Sequence, residues 1–263
     1  MVFRAALLIL FLLGLPAPGR AVDGCRQCHP LHYAEAGSCV SCHRGDPRSS
    51  RRTIAHHQLI SGRFAHFALP GSPVVEQGNQ LLERAGCRRC HRSDSKGNSL
   101  ATDLDRLLPA ARPEEVLQSI RQPVLFMPDF AFPEATAVAL VNALLAHSAK
   151  AEKPGGEAPL VVHFEGGERR ENPFDKHCGG CHRLLSPHWG GLGSGRIGPN
   201  LSGLTGAFYP ALFREGEPWT AERLKKWIEN PRKIRPQARM RPAPLEAVDQ
   251  SGIVEILAPK SPQ

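Results

Sequence analysis

Apolar residues recur at helical spacing in two matched stretches of this chain. In the first, Glu114, Val116, Ile120 and Pro123 precede Met127; in the second, Glu222, Leu224, Ile228 and Pro231 precede Met240, and those four positions match at a constant offset of 108. Each reads as an amphipathic helix stopped by proline, followed by a loop that delivers a methionine. Ahead of the helices lie two glycine loops, Gly97-Asn98-Ser99-Leu100 and Gly198-Pro199-Asn200-Leu201, and behind them two apolar helical stretches, Ala135 to Ala146 and Leu245 to Leu257. Residues 74–150 and 171–258 therefore read as a diverged internal repeat. Residues 151–170, rich in Gly, Pro and charge, read as a linker.

The two ends of the pattern differ. Residues 22–67 show little conventional hydrophobic patterning, so a core there must come from something other than side chains. Residues 1–21 carry Arg4, the apolar run Ala5 to Leu15, then Pro16 and small residues up to Ala21. That order is expected of a cleaved export signal, and the run is too short to span a bilayer comfortably. The mature chain is expected in the periplasm or cell envelope, with no transmembrane span.

Composition sharpens this picture. With 25 glycines, 24 prolines and 6% aromatic residues, the chain is loop-rich and short of bulky core residues. Removing Arg4 and Arg20 lowers the formal charge from +8 to +6. A basic exported protein invites a nucleic-acid reading, but the compartment offers little nucleic acid, and no nucleic-acid partner is expected.

The eight cysteines carry the chemistry. They stand as Cys25-Arg-Gln-Cys28-His29, Cys39-Val-Ser-Cys42-His43, Cys87-Arg-Arg-Cys90-His91 and Cys178-Gly-Gly-Cys181-His182, with none left over. Each is C-x-x-C-H, the attachment signature of c-type haem. Two thiols one helical turn apart can add to the two vinyl groups on one porphyrin edge, and the following histidine then faces the iron. Four disulfides would explain the cysteines in an exported chain, but not a histidine after every pair. A zinc ribbon on Cys25, Cys28, Cys39 and Cys42 would leave unexplained the third motif, 45 residues after Cys42, and the fourth, 88 residues after Cys90. Four covalently attached haems are the expectation.

Distal ligands can be counted. Beyond the signal only Met127 and Met240 remain, one for each single-haem segment, and His/Met ligation raises haem potential. The N-terminal pair has His32, His56, His57 and His66 instead. His32 follows His29 by three residues and cannot reach the far side of the same iron, so it is assigned to the second haem. His56 or His57 would serve the first, with His66 in reserve. Only ten residues separate Cys28 from Cys39, which brings these two haems close. His147, His163, His177 and His188 are expected at the surface or in structural roles, and Trp189 to Gly195 is expected to wrap a haem edge.

The segment Cys178 to Pro242 resembles class I cytochrome c: C-x-x-C-H, Gly198-Pro199-Asn200-Leu201, Trp227-Ile228-Glu229-Asn230-Pro231, then Met240. The resemblance implies that the Pro199 carbonyl accepts the ring N–H of His182. The third-haem segment departs from that pattern, with Ser99 in place of proline and only 35 residues between His91 and Met127. The N-terminal module is similar to small bis-His multihaem cytochromes. The four-haem layout resembles cytochromes of bacterial selenite and tellurite reduction clusters and extracellular electron conduits.

The expected architecture is mainly α and loop-rich: a two-haem bis-His module (22–67), a cytochrome c-like single-haem domain (68–150), the linker, and a class I cytochrome c-like domain (171–263). The expected function is electron transfer between redox partner proteins, acidic or outer-membrane associated, with lower-potential haems at the N-terminus. Seven basic residues between Lys225 and Arg241 suit an acidic partner. The alternative is a haem oxidoreductase subunit acting on a small oxyanion or peroxide at an open iron, located among the ambiguous histidines.

Overall fold

The computed structural model describes residues 24–151 and 171–259, so the signal segment, His163 and nearly all of the linker lie outside the described residues. The chain is mainly α, with two short antiparallel hairpins. Among the described residues no helix is long and apolar enough to cross a membrane.

The N-terminal segment contains 3-10 turns at Gly24–Gln27 and Ala34–Ala36, then α1 (Cys39–His43) and α2 (Arg52–Ala55). Gly24 N–H donates to the Pro47 carbonyl at 2.7 Å, closing the segment on itself. No residue from Cys25 to Leu59 is buried, and Leu31 and Tyr33 are 49% and 54% exposed. So few residues cannot supply a core from side chains alone; a stretch this short needs cross-links or a bound group to hold its shape.

The middle domain is built around α6 (Glu134–Lys150), apolar on nearly every side from Ala137 to Ala146 and buried accordingly. Against it lie α3 (Pro73–Ala85), the short α4 (Leu107–Ala110) and α5 (Pro113–Arg121), sharing a core of Leu81, Leu82, Val116, Ile120, Leu140 and Leu144. α3 approaches α6 through Gly78, where any Cβ would run into the Ala139 carbonyl. Proline opens α3, and Gly86, at φ 64°, ends it in the left-handed conformation that favours glycine. That stop delivers the chain directly into Cys87. The hairpin β1 (Arg92–Ser93) and β2 (Lys96–Gly97) follows, with Arg92 opposite Gly97.

Ile60 and Phe64, assigned to the two-haem module, are buried in the core of the middle domain. The fully buried Asn142 on α6 fixes them there: its Oδ1 accepts from Phe67 N–H at 3.1 Å and its Nδ2 donates to the Arg63 carbonyl at 2.9 Å. Ile60 also bonds back to His43, its N–H donating to the His43 carbonyl at 2.7 Å, so this stretch touches both segments.

The C-terminal domain runs through α7 (Pro173–His177), the hairpin β3 (Leu184–Ser186) and β4 (Gly190–Leu192), α8 (Ala221–Glu229), α9 (Pro231–Ile234) and α10 (Ala247–Leu257). The Asn172, Thr220 and Asn230 side chains cap α7, α8 and α9 by accepting backbone N–H bonds. Phe174, Leu184, Phe213, Trp219, Trp227 and Ile253 form its core. α5 and α8 cover 113–121 and 221–229, the same 108-residue offset as the sequence pattern.

Candidate functional site

Each C-x-x-C-H segment forms a single helical turn. The backbone N–H of His29, His91 and His182 donates to the carbonyl of Cys25, Cys87 and Cys178 at 3.0, 3.0 and 2.9 Å, and α1 is itself the second segment. A turn of this kind sets the two thiols one above the other and projects the histidine beyond them.

Three of these histidines have a fixed tautomer. Nδ1 of His43, His91 and His182 lies 2.9, 2.7 and 2.9 Å from the carbonyls of Ile60, Thr102 and Pro199. A carbonyl can only accept, so each Nδ1 carries the proton and Nε2 keeps a free lone pair for a metal. Burial, which favours the neutral ring, pushes the His91 pKa below its ordinary value despite the opposing bond to Thr102. Glycine makes room around these rings: a Cβ at Gly97 would strike the His91 carbonyl, at Gly193 the His182 carbonyl, and at Gly198 the His182 ring itself. Gly97 thus corresponds to Gly193 rather than to Gly198, because β3–β4 is the longer hairpin.

In the N-terminal module the structure brings the histidines together in two pairs. The His29 and His56 rings lie 6.0 Å apart between centroids, and those of His32 and His43 lie 5.7 Å apart. Two metal–imidazole bonds of about 2.0–2.1 Å, with the rings behind them, need roughly this separation. His57 joins neither pair; it is exposed and lines a groove with Arg44, Asp46, Arg48 and Gln58. His66 is half-buried on the 3-10 helix Gly62–Ala68.

In the middle domain Met127 packs into the same apolar cluster as Cys87, Leu104 and Phe132. In the C-terminal domain Cys178, His182, Pro199, Trp219, Trp227 and Met240 line one largely apolar cavity of about 510 Å³. Trp227 Nε1 donates to Met240 Sδ at 3.1 Å. Trp219 Nε1 is buried with no hydrogen-bond partner, a donor awaiting an acceptor. Arg239 lines the same cavity, and Arg235 stacks over Trp227 at 4.4 Å. An apolar planar group carrying acidic substituents satisfies all of these at once, and haem is such a group. The residues fit it.

Zinc fits less well. Burial pushes the Cys87 and Cys178 thiols up to about 11, so both are protonated in the free chain at neutral pH. Among the described residues no group of three or more His, Cys, Asp or Glu is arranged to hold a metal ion by itself, and no two cysteines are joined in a disulfide.

The remaining histidines lie apart from these sites. His147 is buried against Ser93 Oγ at 2.8 Å, His177 contacts Asp249 at 2.6 Å, and His188 sits exposed at the β3–β4 turn. Spacing pointed to the Pro199 acceptor through family resemblance, but gave no signal for Ile60 or Thr102.

Residues 73–142 match the family described as cytochrome C oxidase, cbb3-type, subunit III. No curated protein and no solved structure matches the chain. The matched stretch runs from α3 into α6 and includes Cys87–His91 and Met127; it is the copy that departs further from the class I pattern. Similarity to a cytochrome c domain here supports a c-type cytochrome with covalent haem and a haem-based role in electron transfer.

Proposed function

We propose that the chain is a periplasmic electron-transfer protein carrying four covalent c-type haems and serving redox partner proteins. Haem, when bound, supplies a one-electron iron couple. The protein's own residues do the rest. Cys25 and Cys28, Cys39 and Cys42, Cys87 and Cys90, and Cys178 and Cys181 anchor the four groups, and His29, His43, His91 and His182 are the proximal ligands. His56 is the distal ligand at the first site, His32 at the second, Met127 at the third and Met240 at the fourth. Trp219, with Arg235 and Arg239 beside it, receives acidic substituents at the fourth site.

The observation that carries this reading is the pairing of the His29 ring with His56 and of the His43 ring with His32, at 6.0 and 5.7 Å between centroids. If each of the four sites supplied both of its ligands, no iron would be left for a substrate, which favours a carrier over a catalyst. Lys225, Lys226, Arg232, Lys233, Arg235, Arg239 and Arg241 are all exposed beside the Met240 site and suit an acidic partner. Partner reduction rates should therefore fall as salt rises.

Intact-mass measurement of the exported protein tests the assignment. The expected mass is that of the chain without residues 1–21 plus four haems, and replacing either cysteine pair Cys87/Cys90 or Cys178/Cys181 by alanine should remove one haem each. A colourless zinc protein, or a mass with fewer than four haems, overturns it.

A further inference from the structure

The loop that carries Met127 is held from outside its own domain. Leu125 sits at φ 54°, a left-handed conformation costly for a bulky side chain, and it is 65% exposed. The carbonyls of this strained stretch face the C-terminal domain. Arg183 Nη1 donates to the Leu125 carbonyl at 3.1 Å, and Asn200 Nδ2 donates to the Phe126 carbonyl at 2.8 Å. Arg183 directly follows His182, and Asn200 directly follows Pro199, whose carbonyl takes the His182 Nδ1 proton.

The orientation of Asn200 is fixed by its neighbours. Its Oδ1 lies 2.9 Å from Ser202 N–H, which can only donate, so the atom facing Phe126 is the amide nitrogen. The Ser202 hydroxyl adds a second bond to Oδ1 at 2.6 Å and itself accepts Leu185 N–H at 2.8 Å. The Asn200 carbonyl accepts from Tyr209 hydroxyl at 3.2 Å and from Arg89 Nη1 at 3.3 Å. Arg89 belongs to the third attachment segment. Both flanks of the third site, its attachment turn and its methionine loop, are therefore tied to residues adjoining His182.

We propose that Asn200 and Arg183 are positioning residues for Met127: acting from the C-terminal domain, they hold the methionine loop so that ligation at the third site depends on the fold of the fourth. This rests on the reading of Met127 as a distal ligand. The two bonds compensate the strain at Leu125. A net contribution of about 1 kcal/mol for one such bond corresponds to roughly a fivefold change in the loop-closed population.

The test uses the four-haem protein and the variants Met127→Ala, Asn200→Asp, Arg183→Ala and Arg183→Lys. Asn200→Asp keeps the acceptor for Ser202 but sets a carboxylate oxygen against the Phe126 carbonyl. Carbon monoxide binding to the reduced protein and the midpoint potential of each haem are measured, together with the methionine–iron charge-transfer band of the oxidised form. Met127→Ala should bind one equivalent of carbon monoxide. Asn200→Asp and Arg183→Ala should each raise carbon monoxide occupancy at one haem by roughly fivefold or more, weaken that band and lower one potential. Arg183→Lys, which keeps a donor, should lie closer to the parent protein. If Met127→Ala opens one haem while Asn200→Asp and Arg183→Ala stay closed with unshifted potentials, the positioning role is wrong and the ligand assignment stands. If Met127→Ala opens none, the ligand assignment falls, and the positioning role with it. Should Asn200→Asp fail to accumulate with four haems, Arg183→Ala, altered at an only partly buried side chain, decides alone.

Discussion

Gly198→Ala sets a methyl group against the candidate proximal ligand of the fourth site. A Cβ there would stand 2.5 Å from His182 Nδ1 and 2.8 Å from Nε2, whereas non-bonded heavy atoms settle at about 3.5–4.0 Å. The ring must retreat by about 1 Å, and that movement breaks its 2.9 Å bond to the Pro199 carbonyl. Forcing extra volume into a packed site costs about 1–3 kcal/mol, and the lost bond adds about 1 kcal/mol. The expected loss is therefore about 2–4 kcal/mol. Gly180, inside the same C-x-x-C-H segment, is the control, because a Cβ there meets nothing within 4 Å. Gly180→Ala should change stability by less than about 1 kcal/mol in either direction. Guanidinium denaturation of the haem-loaded protein, followed by haem absorbance and far-ultraviolet dichroism, compares the two, and spectroelectrochemistry reads the potential of the His182 haem. Equal behaviour of the two variants, or Gly198→Ala at parental stability with an unshifted potential, refutes this account of how His182 is seated.

Asn142→Ala should destabilise the middle domain by about 1–3 kcal/mol, measured by denaturation, because it removes the partner of the part-buried Phe67 N–H and Arg63 carbonyl together. His147 is held below its ordinary pKa mainly by burial, so the unfolded chain takes up the proton first as pH falls. Its contribution to stability is complete above about 6.5 and is lost as pH drops through the lowered folded value; His147→Gln should flatten that slope in a pH series of melts. His56→Ala should open one haem and bind one equivalent of carbon monoxide, while His57→Ala should bind none, since it is the His56 ring that lies beside His29.

What the sequence showed depended on how local the signal was. Val116 and Leu224 sit on equivalent faces of α5 and α8 because amphipathic periodicity needs no partner to be read. The glycine loops were another matter. Gly97 was paired with Gly198 by resemblance of the surrounding letters, but both Gly97 and Gly193 take positive φ under the carbonyl of a C-x-x-C-H histidine. A longer hairpin shifts the frame, and a local motif cannot register an insertion. Choosing His56 over His57 was out of reach because adjacent residues differ only in the side of the chain from which they project. The burial of Ile60 is not legible for a related reason: it is decided by α6, which lies some eighty residues further along the chain. The acceptors Ile60 and Thr102, and the bonds of Asn200 to Phe126 and Arg89, arise the same way, between segments that only the fold brings together.

In the proposed four-haem protein, side chains of the chain itself would close every iron on both faces. Reduced-minus-oxidised spectroscopy with a haem count and a carbon monoxide titration tests it most directly. The account predicts four haems per chain, all low-spin, with no carbon monoxide bound to the reduced protein. Fewer than four haems, or a high-spin haem that binds carbon monoxide, would contradict it.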